Sequence, residues 1–316
     1  MRKFVLLYAA PWTGLIIAAL SGQKTANDLE ILGAWVFLFS ALIFGLPHGA
    51  FDFWILQKKL NASRAKDSRL LVTLVLYALS AFVIAALWFI FPTASIAAFL
   101  ILTALHFGAG DQIWENINPR GRIPSLLRGL VIVSSPLAFH PSESERFLGN
   151  FLWQSQGTES IALIMAWAPK ILVFSSGALL LTDIIRSMAL RTFPLLKWLE
   201  LGIFVGFFWL MSPLFATAVY FTLVHSWRHV LRTRIYAESE LESALRTPTA
   251  TILWEFYKKA FPMTALSLIG LALIYVVVRP DLDVLTSWTS AYFILLASLT
   301  VPHAIVIEMT EARLLR

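Results

Sequence analysis

The chain has 316 residues, 58% of them hydrophobic and only 14% charged, with a formal net charge of +6 and a mean hydropathy of +0.74. A soluble domain of this length does not carry such a balance, so lipid is the expected solvent. The lack of cysteine removes disulfides, thiolate metal sites, iron–sulfur clusters and thiol nucleophiles, and leaves His and carboxylates as the metal donors. The basic residues fall in short stretches between apolar runs rather than on one face, which argues against nucleic acid as a partner and for a topology signal.

In chain order, Met1-Arg2-Lys3 precedes an apolar run from Phe4 that has the start of a signal peptide. Pro11, Trp12 and the lack of a small-residue cleavage motif favour a retained first helix instead. Residues 31–51, 70–91, 260–278 and 284–307 contain no Asp, Glu, Lys or Arg. Each is close to the roughly 20 apolar residues that a bilayer span needs. The whole pattern predicts ten spans, over 4–21, 31–56, 70–91, 93–112, 124–140, 171–186, 195–211, 213–231, 260–278 and 288–308. Ten becomes eight if the mixed polar stretch 142–170 marks a surface or re-entrant segment. With the N-terminus inside, 21 of the 25 Lys and Arg fall on the inner side, and only Lys24, Arg146, Lys170 and Arg279 fall outside. This positive-inside asymmetry predicts an even number of spans with both termini cytoplasmic. The stretch Arg232 to Lys259 reads as a cytoplasmic loop or short amphipathic helix. The expected fold class is all-α, a polytopic transmembrane helix bundle forming a single domain over 1–316.

Six histidines occur, and His48, His106, His225, His229 and His303 fall inside predicted spans, while His140 does not. On the predicted topology the five occupy the later part of spans that all run toward the cytoplasm, which puts them in one layer. An ionisable side chain inside the bilayer costs about 2 to 3 kcal/mol when charged, so such residues face a bundle interior and mark function. A single intramembrane His is as often an interhelical hydrogen-bond donor, but five at one depth point to one site. His225 and His229 are four apart, on one helix face, at a spacing that one metal can bridge. Carboxylates accompany them: Asp52 after His48, Asp111 after His106 and Glu308 after His303. Metal-bound imidazoles commonly give their other N–H to such a group, although Glu308 also suits a helix end. Gly45, Gly49, Gly108 and Gly110 flank the first two histidines, as close helix packing or room beside a metal would require. Neutral imidazoles without thiolate suit Fe, Zn, Cu or Ni, and spacing does not choose among them. Phe44, Phe51, Phe107, Phe221, Trp227 and Tyr292 lie near the same layer as candidate lining for an apolar substrate tunnel, and are also ordinary membrane-protein filling.

The blocks Gly45-Leu-Pro-His-Gly-Ala-Phe-Asp52, His106-Phe-Gly-Ala-Gly-Asp111, His225-Ser-Trp-Arg-His229 and Val301-Pro-His303 resemble the Brp/Blh family of β-carotene 15,15′-dioxygenases in order and spacing. The resemblance implies a membrane-integral prokaryotic enzyme of the inner membrane. It further implies an Fe(II) site and cleavage of the central double bond of β-carotene by O2 into two all-trans-retinal, with a rhodopsin as a partner that receives the product. Carried over by motif, the iron ligands are His48, His106, His225 and His229, with His303 a further ligand or a supporting group, and Asp52 and Asp111 orienting the ligands.

Other readings compete. A membrane di-iron desaturase or hydroxylase needs about eight histidines in clustered motifs, and this chain has one His-x3-His. A retinal photoreceptor needs a mid-span Lys, whereas Lys170 and Lys197 sit near predicted helix ends. The strongest rival is a transporter of metal ions or protons that uses buried His and Asp as a permeation path.

Overall fold

The computed structural model describes residues 4–21, 26–60, 66–112, 122–152, 157–191, 193–238, 246–278 and 282–314. They are helical almost throughout, with no strand among the described residues. In chain order the helices are α1 Val5–Ser21, α2 Ala26–Ser40, α3 Leu46–Ala50, α4 Asp52–Leu60, α5 Lys66–Ile90, α6 Pro92–Gln112, α7 Arg122–Phe139 and α8 Pro141–Gly149. They continue with α9 Thr158–Leu190, α10 Leu195–Leu210, α11 Pro213–Tyr220, α12 Trp227–Glu238, α13 Thr249–Val277 and α14 Val284–Leu314.

Each of the ten predicted spans falls on one of these helices or an unbroken series of them. Six helical stretches are long and apolar enough to cross a membrane: Glu30–Lys58, Arg69–Ile90, Pro92–Gly110, Thr158–Ala189, Thr249–Val277 and Val284–Met309. A seventh arises if α7 and α8, bent by 97° at their junction, count as one broken span. The others fall short for local reasons. Helix α10 has 16 residues, and α11 has eight before the helix widens. The bend between α7 and α8 lies at the edge of the 142–170 stretch whose polar content made it suspect. It is set by His140, in a non-helical conformation and followed by Pro141 at the first helical position. The His140 Nε2 lies 3.0 Å from the Phe208 carbonyl.

By contact the chain divides into two compact units, residues 1–37 with 92–225 and residues 38–91 with 226–316. In the first, α6 and α7 are the most intimate pair. A side chain on Gly108 would collide with the Ser125 carbonyl, and one on Gly129 with the Ala104 carbonyl, so the two backbones touch where only glycine fits. Around this pair, Leu127 and Val131 of α7, Leu179 of α9 and Leu201 of α10 form a buried apolar cluster. Buried ion pairs run through the described residues of the unit. Arg128 of α7 meets Glu200 of α10, which also accepts the Trp12 indole N–H at 3.1 Å. Lys197 reaches Asp183 at 2.9 Å, and the Trp198 indole N–H donates to the same carboxylate at 3.0 Å.

In the second unit, α5 packs along α14, and α13 packs on α3, α12 and α14. Helix α5 turns Leu71, Val75, Leu76, Leu79 and Phe82 outward, an apolar face suited to lipid. Helix α14 is the opposite case: Ala291, Tyr292, Ile294, Leu295 and Ala297 are all buried. Trp88 of α5 is buried with its edge on Phe293 of α14, ring centroids 5.7 Å apart.

The charge asymmetry reads differently once side chains are placed. Arg128, Lys197, Arg228 and Arg232, counted above among inner-side basic residues, are buried. They are internal groups rather than loop charges, because their helices extend through the positions where the sequence pattern placed loop ends.

Candidate active site

The second unit builds a three-imidazole cluster from three distant parts of the chain. His48 follows a π-helical turn, Ala41–Gly45, and Pro47. A wider turn of this kind and a proline both release backbone carbonyls from the helical ladder. Pro47 has no N–H to offer Ile43, and the Ile43 carbonyl instead accepts the Tyr257 hydroxyl of α13 at 2.5 Å. The Phe44 and Gly45 carbonyls lie 2.9 Å and 2.8 Å from His48 Nδ1. A carbonyl can only accept, so Nδ1 carries the proton, and the neutral ring presents Nε2 as its lone-pair donor.

His303 repeats the Pro-His arrangement as Pro302-His303 inside α14. Its Nδ1 donates to Asp52 Oδ2 at 2.8 Å, and the Tyr77 hydroxyl donates to the same oxygen at 3.1 Å. His229, in α12, completes the cluster. Ring centroids are 4.9 Å apart for His48 and His303, 5.1 Å for His229 and His303, and 5.4 Å for His48 and His229. The three rings meet edge to face and are buried.

The first unit brings His106 of α6 to His225, which lies in a second π-helical turn, Phe221–Ser226, with centroids 4.9 Å apart. Phe107 packs on His225 at 4.4 Å, and Phe221 stacks on it at 5.7 Å. Two of the π-helical turns thus carry or closely precede a histidine, a placement common at functional sites.

The remaining sequence candidates divide between the units. In the second, Phe44 stacks on Tyr257, and Phe51 stacks on Phe256, as a layer of rings beside the His48 turn. Tyr292 is fully buried, with its hydroxyl against Gly45, where a side chain would collide with it. Trp227 is half-buried. In the first unit, Phe107 and Phe221 belong to the His225 surroundings. The Asp111 side chain lies outside the described residues.

Two pairings differ from the sequence expectation. Asp52 serves His303, 251 residues away, and not its neighbour His48, whose Nδ1 is occupied by backbone carbonyls. Glu308, expected beside His303, is exposed. Five residues along a helix is about 140° round from His303, which turns Glu308 outward. Sequence reading also passed over Tyr77 and Tyr257. The signal for Tyr77 was a phenol within a charge-free apolar run, whereas Tyr257 lay in the Arg232–Lys259 stretch read as a loop or short amphipathic helix, part of which the fold places in α13.

Several buried imidazoles, one of them backed by a carboxylate and none accompanied by thiolate, are a donor set suited to a divalent first-row metal such as iron. As they stand the rings pack against one another, and among the described residues no group of three or more His, Asp or Glu side chains is arranged to hold an ion. In type and burial the residues present fit such a metal.

The family model described as "Beta-carotene 15,15'-dioxygenase" matches residues 39–311. A protein of Halobacterium salinarum named "Probable beta-carotene 15,15'-dioxygenase Blh" is 28% identical over 96% of this chain and 91% of its own length. One from an uncultured marine bacterium, named "Beta-carotene 15,15'-dioxygenase", is 28% identical over 87% of this chain and 92% of its own. No solved structure matches. The family match spans His48, His106, His225, His229 and His303 and the π-helical turns beside His48 and around His225, and the chain belongs to the beta-carotene 15,15′-dioxygenase family.

Proposed function

We propose that this protein cleaves the central double bond of β-carotene or a close relative with O2, giving two molecules of retinal. The reaction balances with both oxygen atoms entering product, one per aldehyde. The observation that carries the reading is the buried cluster of His48, His229 and His303 inside a chain of this family.

Iron(II), when bound, would supply the activation of O2 that a spin-paired polyene needs. In the second unit His48, His229 and His303 are the groups to hold it. His106 and His225 are the corresponding candidates in the first. The protein's own groups prepare the site. The Phe44 and Gly45 carbonyls hold the His48 proton on Nδ1, and so keep Nε2 as an electron-pair donor. Asp52 does the same for His303. The rings of Phe44, Phe51, Phe256 and Tyr257 give an apolar surface for a polyene and limit water around the imidazoles. Phe107, Phe221, Trp227 and Tyr292 complete the proposed substrate lining. A carotenoid dissolved in the bilayer reaches such a site between helices, and retinal leaves the same way, toward a rhodopsin where one is present. Ten spans, cytoplasmic termini and a prokaryotic inner-membrane location complete the proposal.

The test is pigment analysis by HPLC of β-carotene-producing bacteria that express the chain. Retinal is expected from the wild type and none from His229→Ala, with 18O from labelled O2 in the aldehyde before exchange. Unchanged β-carotene with membrane-inserted wild-type protein would move the reading to ion transport, measured as ion flux in liposomes.

A further inference from the structure

Residues 70–91 contain no Asp, Glu, Lys or Arg, and α5 exposes an apolar face along much of its length. Tyr77 lies off that face, half-buried. Its hydroxyl donates to Asp52 Oδ2 at 3.1 Å, the same oxygen that receives the His303 Nδ1–H at 2.8 Å. One carboxylate oxygen thereby ties α4, α5 and α14 together. The other oxygen, Oδ1, is buried with no hydrogen-bond partner among the described residues. The orientation of Asp52 therefore rests on two donors to one atom. A buried carboxylate depends on each of its hydrogen bonds, because no water replaces a lost one.

We propose that Tyr77 is a positioning residue for the imidazole cluster, acting through Asp52 on His303. The Tyr77 phenol holds the Asp52 carboxylate against rotation. Asp52 in turn fixes the tautomer and ring orientation of His303, which packs on His48 and His229. Groups that orient metal-bound imidazoles commonly matter by about 10- to 100-fold in metal affinity or activity. The inference rests on the reading that this cluster holds the reactive metal.

Tyr77→Phe keeps the ring and removes the hydroxyl. The full-length protein in detergent is titrated with iron(II), and kcat and KM for β-carotene are measured alongside thermal unfolding. Tyr77→Phe is expected to weaken iron binding by roughly tenfold. Its kcat should fall by a similar factor, with KM for β-carotene unchanged. Asp52→Asn should lose at least as much, and the double variant should be no worse than Asp52→Asn alone, since both act through one bond. Wild-type iron affinity in Tyr77→Phe overturns the proposal, as do additive losses in the double variant. A lowered unfolding temperature with unchanged iron affinity assigns Tyr77 to packing and also overturns it. Wild-type affinity in Asp52→Asn does so however Tyr77→Phe folds. A wild-type protein that neither binds iron nor forms retinal defeats the functional reading itself, a result distinguishable from all of these.

Discussion

The buried ion pairs of the first unit and the imidazole cluster of the second use buried polarity in opposite ways. In the first, charges are closed against one another: Arg128 with Glu200 and Lys197 with Asp183, each pair supported by an indole N–H. In the second, three buried imidazoles pack on one another and one of them, His303, donates to a carboxylate. A closed ion pair has its charges matched within the protein, and its role ends in holding helices together. Imidazoles fixed through Nδ1 keep a lone pair on the second nitrogen, and that is capacity for a metal or substrate. The contrast separates structural polarity from chemical polarity within one apolar chain.

The contrast is sharpest under substitution. The largest effect is expected at His229: His229→Ala should abolish retinal formation, at least 100-fold below wild type, while leaving thermal unfolding in detergent nearly unchanged. His225→Ala measured beside it tells whether the first-unit pair belongs to the chemistry, and loss of activity is expected there too.

Glu200→Gln should do the reverse. It leaves Arg128 buried without its counter-charge and should destabilise the protein by about 3 to 5 kcal/mol, read as a lowered unfolding midpoint, with the protein that remains folded retaining its iron. If Glu200→Gln lost iron but not stability, the division drawn between the units would fail.

A smaller loss is expected from Gly108→Ala, which forces a methyl group onto the Ser125 carbonyl where α6 and α7 cross. Overpacking of this kind costs about 1 to 3 kcal/mol and should appear as faster unfolding.

The smallest effect belongs to Asp283, an exposed residue whose carboxylate accepts from the Thr286 hydroxyl and backbone N–H at the start of α14. Those hydrogen bonds, the side-chain one first, hold its pKa below the ordinary Asp value. A depressed folded-state pKa contributes stability that is present above the unfolded-state value and is lost as pH falls through the folded one. Asp283→Ala should therefore cost no more than about 1 kcal/mol near neutral pH, with the difference from wild type vanishing in acid unfolding curves.

Much of this protein is determined by the sequence alone. Charge-free runs of bilayer length dictate apolar helices, because a helix satisfies its backbone within one segment and such runs are about twice the length of a barrel strand. The positions of the five histidines within predicted helices, and their four-block pattern, mark a candidate site and the family. Tertiary structure decided which residues meet. Spacing along a helix suggested Asp52 for His48 and Glu308 for His303, but Pro47 and the π-helical turn give His48 its own backbone carbonyls and free Asp52 for His303, 251 residues on. The same applies to Arg128 and Lys197, which resemble loop charges in sequence and are internal ion pairs in the fold. Local pattern sets the face on which a side chain lies, whereas long-range packing alone selects its partner. In a chain whose helices are apolar on nearly every face, hydrophobic periodicity leaves that choice open.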